Sequence, residues 1–486
     1  MPVPTSLAAL EADLARDLRL LNYPPKGWVP ETSATDGRPV SDVIVAGGGM
    51  LGLTVSFALR RQGIERLRLL DRAEAGREGP WVTYARMRTL RSPNHLTGPA
   101  MGLPALTFRA WYEAQHGAEA WAGLGKIPRA MWMDYLVWYR RVLSLPVENG
   151  VRLAAIRPAP HGLDCDLIHA DGHRETAACR KLVLATGREG QARPRIPAAL
   201  APFFGQGVQH TSDDIDFAAL HGKDVAVIGL SASAMDNAAS ALEAGARQVT
   251  LLARAPAVPR INKAKGIVYG GFTHGFPTLA PDWRLKLLDY IGSYRVAPPR
   301  DSLLRVFRHE NAALWLDAPV TEVRREGGRF CLATPKGSLP ADHVILGTGF
   351  AIDLAAPAEL ADHAPLIRTH ADLLAERAGD AQAEWLAFPA LSPSFQFVER
   401  EAGSAPYLGD IYCFTYAAAM THGNVSGDIP AVSEGAERLA QGLAADLFRA
   451  GIETHWQAMQ AFDDPELFGD ELPDGTPWWP PLDDTP

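Results

Sequence analysis

Three consecutive glycines, Gly47, Gly48 and Gly49, followed by Gly52, stand between a β-branched run at 43–46 and an apolar stretch of helical period. Strand, tight turn and helix in that order make a cradle for a dinucleotide. Gly47 permits the turn, Gly49 lets backbone N–H groups approach a pyrophosphate, and Gly52 lets the helix lie against the strand. The positive end of the helix then faces the phosphates. A second apolar run, 67–70, ends in Asp71, 19 residues beyond Gly52, where a carboxylate can accept hydrogen bonds from ribose hydroxyls. The glycines, Asp42 ahead of them and the Arg60-Arg61 end argue against a membrane span at 43–59, which also falls short of about 20 apolar residues.

The same pattern returns at 224 as DVAVIGLSASAMDNAASALEAGARQVTLLAR. Here the turn positions are Gly229, Ser231 and Ala234, and the second strand ends at Arg254, 20 residues beyond Ala234. An arginine in place of the acid inverts the preference, because a carboxylate repels a 2′-phosphate and a guanidinium pairs with it bidentately. This half is expected to choose NADPH over NADH. Arg260, Lys263 and Lys265 add positive charge nearby.

The remaining candidate chemistry lies in loops. After Asp71 comes a long irregular stretch rich in Arg, Gly and Pro, whose Trp81, Arg86, Arg88 and Arg91 either face a cofactor or substrate or decorate a solvated surface. Two buried strands, 181–187 and 343–349, each end in Thr-Gly, the second at Thr348 and Gly349. A strand at 411–415 and a helix at 430–449 bracket a polar loop, 421–428, able to bring groups to a cofactor at a sheet's carboxyl edge. The aromatic-rich segment 130–144 has one wide apolar face of helical period and reads as core. Cys165, Cys179, Cys331 and Cys413 show no C-x-x-C spacing, so neither a redox dithiol nor a metal site is expected.

The elements that position these residues are legible in outline. The 486 residues supply about three domains' worth of chain, with 47% hydrophobic and 21% charged residues as in ordinary globular proteins. The net charge of −9, scattered without a basic stripe, argues against nucleic acid or an anionic membrane as partner. Residues 6–22 alternate acids with apolar residues at helical spacing and carry no basic-then-apolar leader, so a cytoplasmic location is expected. The fold class is α/β with two Rossmann-like dinucleotide-binding domains, the second inserted in the first.

Two such units, with GGGMLG first, GLSASA second, and ATG and GTGF each ending a strand, resemble the single-component flavoprotein monooxygenases, a group that includes N-hydroxylating and Baeyer-Villiger enzymes. The resemblance covers most of 40–450 and implies FAD in the first cradle and NADPH in the second. It divides the chain into an N-terminal helical extension (1–40), a first part of the FAD domain (41–220), an inserted NADPH domain (221–342) and a second part with substrate-pocket elements and the tail (343–486). DRAEAGREGPW is similar to the family's acid, basic residue, spacer and Gly-Gly-x-Trp, which implies Arg72 and Trp81 near FAD. Thr421, His422 and Gly423 match the Thr-His-Gly of the N-hydroxylating members.

The implied reaction uses O2 to form a flavin hydroperoxide that oxygenates a small nucleophilic substrate at nitrogen or sulfur. Arg88 and Arg91 are candidates for stabilising the peroxide or a substrate carboxylate, and His422 for relaying a proton. The family fingerprint is imperfect, since His210 falls five residues after Gly205 instead of four. An NADPH oxidase or dehydrogenase, a Baeyer-Villiger enzyme or a redox-sensing flavoprotein therefore stand as alternatives, and homo-oligomerisation is left open.

Overall fold

The computed structural model describes residues 6–374, 376, 379, 382–468, 470–473, 477 and 479. Most of the irregular tail at 474–486 thus lies outside the described residues.

The first sheet is built on β1 (Val40–Ala46), whose Val43, Ile44 and Val45 are wholly buried. On one side lie β2 (Leu67–Asp71) and β3 (Val147–Asn149), and on the other β6 (Arg174–Leu184), all parallel. The hairpin β4 (Val151–Ala159) and β5 (Gly162–His169) pairs antiparallel with the first half of β6. β17 (Ile411–Cys413) pairs parallel with its last residues. A strand buried on both faces reads as a continuous apolar run, and β1 and the end of β6 do so.

The second sheet is wholly parallel and runs β11 (Ala312–Trp315), β10 (Gln248–Leu252), β9 (Asp224–Ile228), β15 (His343–Leu346), β8 (Val208–His210). The strands of this sheet reach outside 221–342 on both sides. β8 and β15 both belong here, because the central β9 is flanked by β10 on one side and needs β15 on the other. The second unit therefore extends on both sides, and the first resumes only after β15. A three-stranded meander, β12 (Glu322–Glu326), β13 (Arg329–Thr334) and β14 (Gly337–Ala341), packs beside it.

Chain enters and leaves the second unit through β7 (Ala192–Pro194) and β16 (Phe350–Ile352), paired antiparallel as a two-stranded connector. His210 fastens the connector, its Nε2 lying 3.1 Å from the Gly349 carbonyl oxygen. The extra residue before His210 is absorbed by a turn in which Gly205 and Gly207 take positive φ. A separate apolar cluster joins the helix Pro281–Ser293 and Phe276 of the second unit to Leu374, Phe388 and Met420 of the last third of the chain.

At the N-terminus, Ser6 Oγ caps the helix Leu7–Leu20, which buries Leu10 and Leu14. No helix among the described residues is long and apolar enough to cross a membrane.

Candidate functional site

The first cradle is closed by backbone. Gly47 has φ +108°, and a Cβ there would stand 2.5 Å from the Ala185 carbonyl oxygen at the end of β6. A Cβ on Gly52 would overlap the Gly47 carbonyl oxygen outright, so the helix Met50–Arg61 can lie this close only with a glycine there. Gly49 precedes the helix with no side-chain cap, leaving first-turn amides for an anionic ligand.

Asp71 ends β2 with its carboxylate turned into the turn: Oδ2 accepts from Gly48 N and Oδ1 from Ala73 N, both at 2.7 Å. Burial holds its pKa above the ordinary carboxylate range. A cleft of about 400 Å³ opens from this turn, lined by Gly48, Gly49, Gly76, Glu78, Leu136 and Arg140. Its size suits the adenosine half of a dinucleotide. The helix Arg129–Val142, expected as core, does bury Trp132, Tyr135 and Tyr139, yet also walls this cleft. Glu78, which sequence reasoning missed, is buried and takes hydrogen bonds from Arg140 and Asn149. Trp81 lies near the mouth. Its ring packs edge-on to Trp132, while the preceding Gly79 faces Gly49. Arg72 is exposed directly after Asp71.

The second cradle repeats the geometry with other residues. Gly229 has φ +130° and abuts the Gly347 carbonyl oxygen as Gly47 abuts Ala185. Ser231 precedes the helix Ala232–Glu243 with its hydroxyl unused as a cap. Ala234 is wholly buried, and a Cβ on Gly347 would fall 2.5 Å from its own Cβ. The methyl group of Ala234 thus requires the glycine at 347. Arg254 follows β10, is exposed and forms no ion pair among the described residues.

Thr348 and Gly349 sit beyond β15 but are stitched into the connector. Thr348 Oγ1 donates to the Arg195 carbonyl, and the Gly349 carbonyl accepts from Arg195 N and His210.

The three residues expected to be catalytic are placed apart. Arg88 is exposed and pairs at 2.8 Å with Glu243, the last residue of Ala232–Glu243. Twelve residues of helix put that about 18 Å from the helix's first turn. Arg88 thus ties the loop after β2 to the far end of this helix. Arg91 lies 3.5 Å from the buried Asp236 carboxylate, one turn into the same helix and closer to the second cradle. Asp236 also accepts from Ser302 Oγ at 2.6 Å.

His422 is wholly buried, stacked on Phe395 at 3.7 Å, with Nε2 3.0 Å from the Ser392 carbonyl and Nδ1 3.3 Å from Arg438. Burial, helped by Arg438, pushes its pKa down to about 3. Its ring is thus held neutral, with both nitrogens engaged by the Ser392 carbonyl and Arg438.

Beyond the carboxyl ends of β6 and β17 the structure assembles groups that no motif announced. Gln191 is buried and accepts from Thr415 Oγ1, while its amide reaches Thr186 Oγ1 at 3.5 Å. Arg188 lies over the Tyr416 ring at 4.3 Å, and Asn424 donates to Asp428 at 2.5 Å. Arg188 follows the Thr-Gly at 186–187, and Asn424 and Asp428 lie in the polar loop 421–428, the two sequence signals that marked this edge.

Comparison with known proteins agrees with this layout. Residues 44–267 match the family described as pyridine nucleotide-disulphide oxidoreductase. Over 466 residues the chain is 36% identical to the FAD-dependent urate hydroxylase of Xanthomonas campestris pv. campestris, covering 96% of this chain and 98% of that protein.

The chain belongs to this flavin-dependent hydroxylase family. Its members are oxidoreductases, and the two cradles are the fold's means of holding two dinucleotides.

Among solved structures, the ornithine hydroxylase of Pseudomonas aeruginosa superposes with a TM-score of 0.65 at 18% identity, covering 84% of this chain and all of that one. The L-lysine 6-monooxygenase of Pseudomonas syringae does so with 0.60 at 19%, covering 84% and 99%. These likenesses show the two-domain flavoprotein fold. Cys165 and Cys179 are free thiols 3.8 Å apart, buried within the first sheet.

Proposed function

We propose that the protein binds FAD in the cradle closed by Asp71 and NADPH in the cradle closed by Arg254, and uses O2 to hydroxylate urate or a closely related oxopurine. The observation that carries this reading is the match to the urate hydroxylase along nearly the whole chain, both cradles included.

Bound FAD supplies the hydride-accepting and oxygen-activating chemistry. The chain's residues hold and orient. Gly47, Gly49 and Gly52 leave room for the pyrophosphate against the first-turn amides of Met50–Arg61, and Asp71 keeps its remaining lone pairs for the ribose. Glu78 and Arg140 line the adenosine end. Ser231 and the uncapped start of Ala232–Glu243 face the second pyrophosphate, and Arg254 takes the 2′-phosphate. The apolar contacts of Phe276 and Leu288 with Phe388 and Met420 exclude water from the side where the units meet.

The test is urate-dependent NADPH oxidation by the purified, FAD-loaded protein, with the hydroxylated purine identified by mass spectrometry. Urate is expected to accelerate NADPH use in proportion to product formed. NADPH consumption unaffected by urate, with all O2 recovered as hydrogen peroxide, would contradict the reading.

A further inference from the structure

The edge beyond β6 and β17 carries two polar features that the cradles do not use. Arg188, four residues past β6, places its guanidinium over Tyr416 and has no carboxylate partner among the described residues. Asn424 Oδ1 is buried without a hydrogen-bond partner. The two are neighbours through Tyr416: a Cβ on Gly427 would lie 3.2 Å from Tyr416 Cδ2 and 3.3 Å from Asn424 Oδ1.

Asp428 fixes which way the amide points. Its carboxylate accepts from Asn424 Nδ2 at 2.5 Å, and since an ionised carboxylate can only accept, the NH2 must face it and Oδ1 becomes the open acceptor. A buried acceptor left unpaired costs about 1–3 kcal/mol, so a ligand that supplies an N–H gains from filling it.

A free guanidinium, an aromatic face and an orphan acceptor side by side match one kind of molecular edge, a negatively polarised oxygen next to an N–H on a flat ring. We infer that Arg188 and Asn424 clamp the lactam edge of an anionic cyclic substrate, the guanidinium taking the oxygen and Asn424 Oδ1 accepting from the adjacent N–H. Oxopurines carry that edge, and the inference rests on the hydroxylase reading for its choice of urate as the first ligand. Ornithine or lysine offers a carboxylate to the guanidinium of Arg188 but has no adjacent ring N–H for Asn424 Oδ1, so it fills only half of the clamp. The site lies beside the first cradle, because Gly47 abuts Ala185 at the end of the same β6 from which Arg188 follows.

The test is calorimetric titration of the FAD-loaded protein with urate, xanthine, uracil and ornithine, for wild type, Arg188→Ala and Asn424→Ala. Arg188 is exposed, so its replacement leaves the core intact, and retained FAD content with an unchanged melting temperature verifies this. Loss of a charge-assisted bond is expected to weaken urate about tenfold to a hundredfold in Arg188→Ala, and loss of the acceptor about tenfold in Asn424→Ala. Arg188→Lys is expected to restore part of the loss. Urate binding that both variants retain at wild-type strength overturns the clamp while leaving the hydroxylase reading standing. Wild-type binding of xanthine or uracil but not urate, sensitive to Arg188, supports the clamp and removes urate as the substrate. Wild-type binding of ornithine with no lactam bound overturns it.

Discussion

The two cradles solve one packing problem in opposite ways. In the first, the helix residue is the glycine (Gly52) and the neighbouring strand ends in Ala185. In the second, the helix residue is Ala234 and the strand ends in Gly347. Each cradle keeps its first-turn glycine, Gly47 or Gly229, at positive φ against the carbonyl of that strand end. The obstacles differ: a methyl on Gly52 would strike the Gly47 carbonyl of its own turn, whereas a methyl on Gly347 would strike both the methyl and the backbone of Ala234. The closing residues differ as well. Asp71 is buried and bonded back to its own turn, whereas Arg254 is exposed and unpaired among the described residues. The first closure is built into the fold, and the second leaves its guanidinium exposed, where the proposed 2′-phosphate would meet it.

The sharpest way to break this comparison is to exchange the small residues. Gly52→Ala drives a methyl into the Gly47 carbonyl, and the purified variant is expected to carry no FAD, read as loss of visible flavin absorbance and a lowered Tm. Ala234→Gly adds only helix-interior glycine, expected to cost about 1 kcal/mol in chemical denaturation and to retain NADPH binding. Equal damage from the two would refute the asymmetry. Gly347→Ala should disable the second cradle while FAD stays bound. Adding Ala234→Gly should recover only part, because Ala234 Cα also lies 2.7 Å from the new Cβ.

Next in size is the closure. Arg254→Ala is expected to raise KM for NADPH about tenfold to a hundredfold and leave KM for NADH nearly unchanged, in steady-state oxidation with each nucleotide. A smaller effect sharpens the distinction between cradle and packing residues. His422 and His370 are both wholly buried, and burial holds them neutral with pKa values pushed down to about 3 and about 4. Their folded pKa values lie below the unfolded value of about 6.5, so the unfolded chain binds the extra protons. Stability from them is present above that value and is lost as pH falls from about 6.5 towards 4, at up to about 2.7 kcal/mol per pH unit for the pair. Denaturation measured across that range should flatten in His422→Asn. Smallest of all is Arg88→Ala, an exposed ion pair expected to cost under about 1 kcal/mol and to leave turnover unchanged.

The cradles were legible because their chemistry is local. Glycine spacing, β-branched strands and the terminal Asp71 and Arg254 each constrain their own backbone within about 30 residues. The sheet order was not, since β15 pairs with β9 across more than a hundred residues and nothing in HVIL names its neighbour. The loop residues were the least legible. Arg88, Arg91 and His422 are the residue types that catalysis uses, but type does not reveal the partner. Glu243, Asp236 and the Ser392 carbonyl come from distant segments. Arg188 and Asn424 escaped notice for the converse reason: what singles them out is a guanidinium without a carboxylate and an amide oxygen without a donor among the described residues.

The central claim is that one chain holds two different dinucleotides at once. Titrating NADP+ into FAD-loaded protein by calorimetry, with bound flavin followed by its absorbance, tests it most directly. The account predicts saturation at one NADP+ per chain with all FAD retained, whereas displacement of FAD by NADP+, or no binding at all, would contradict it.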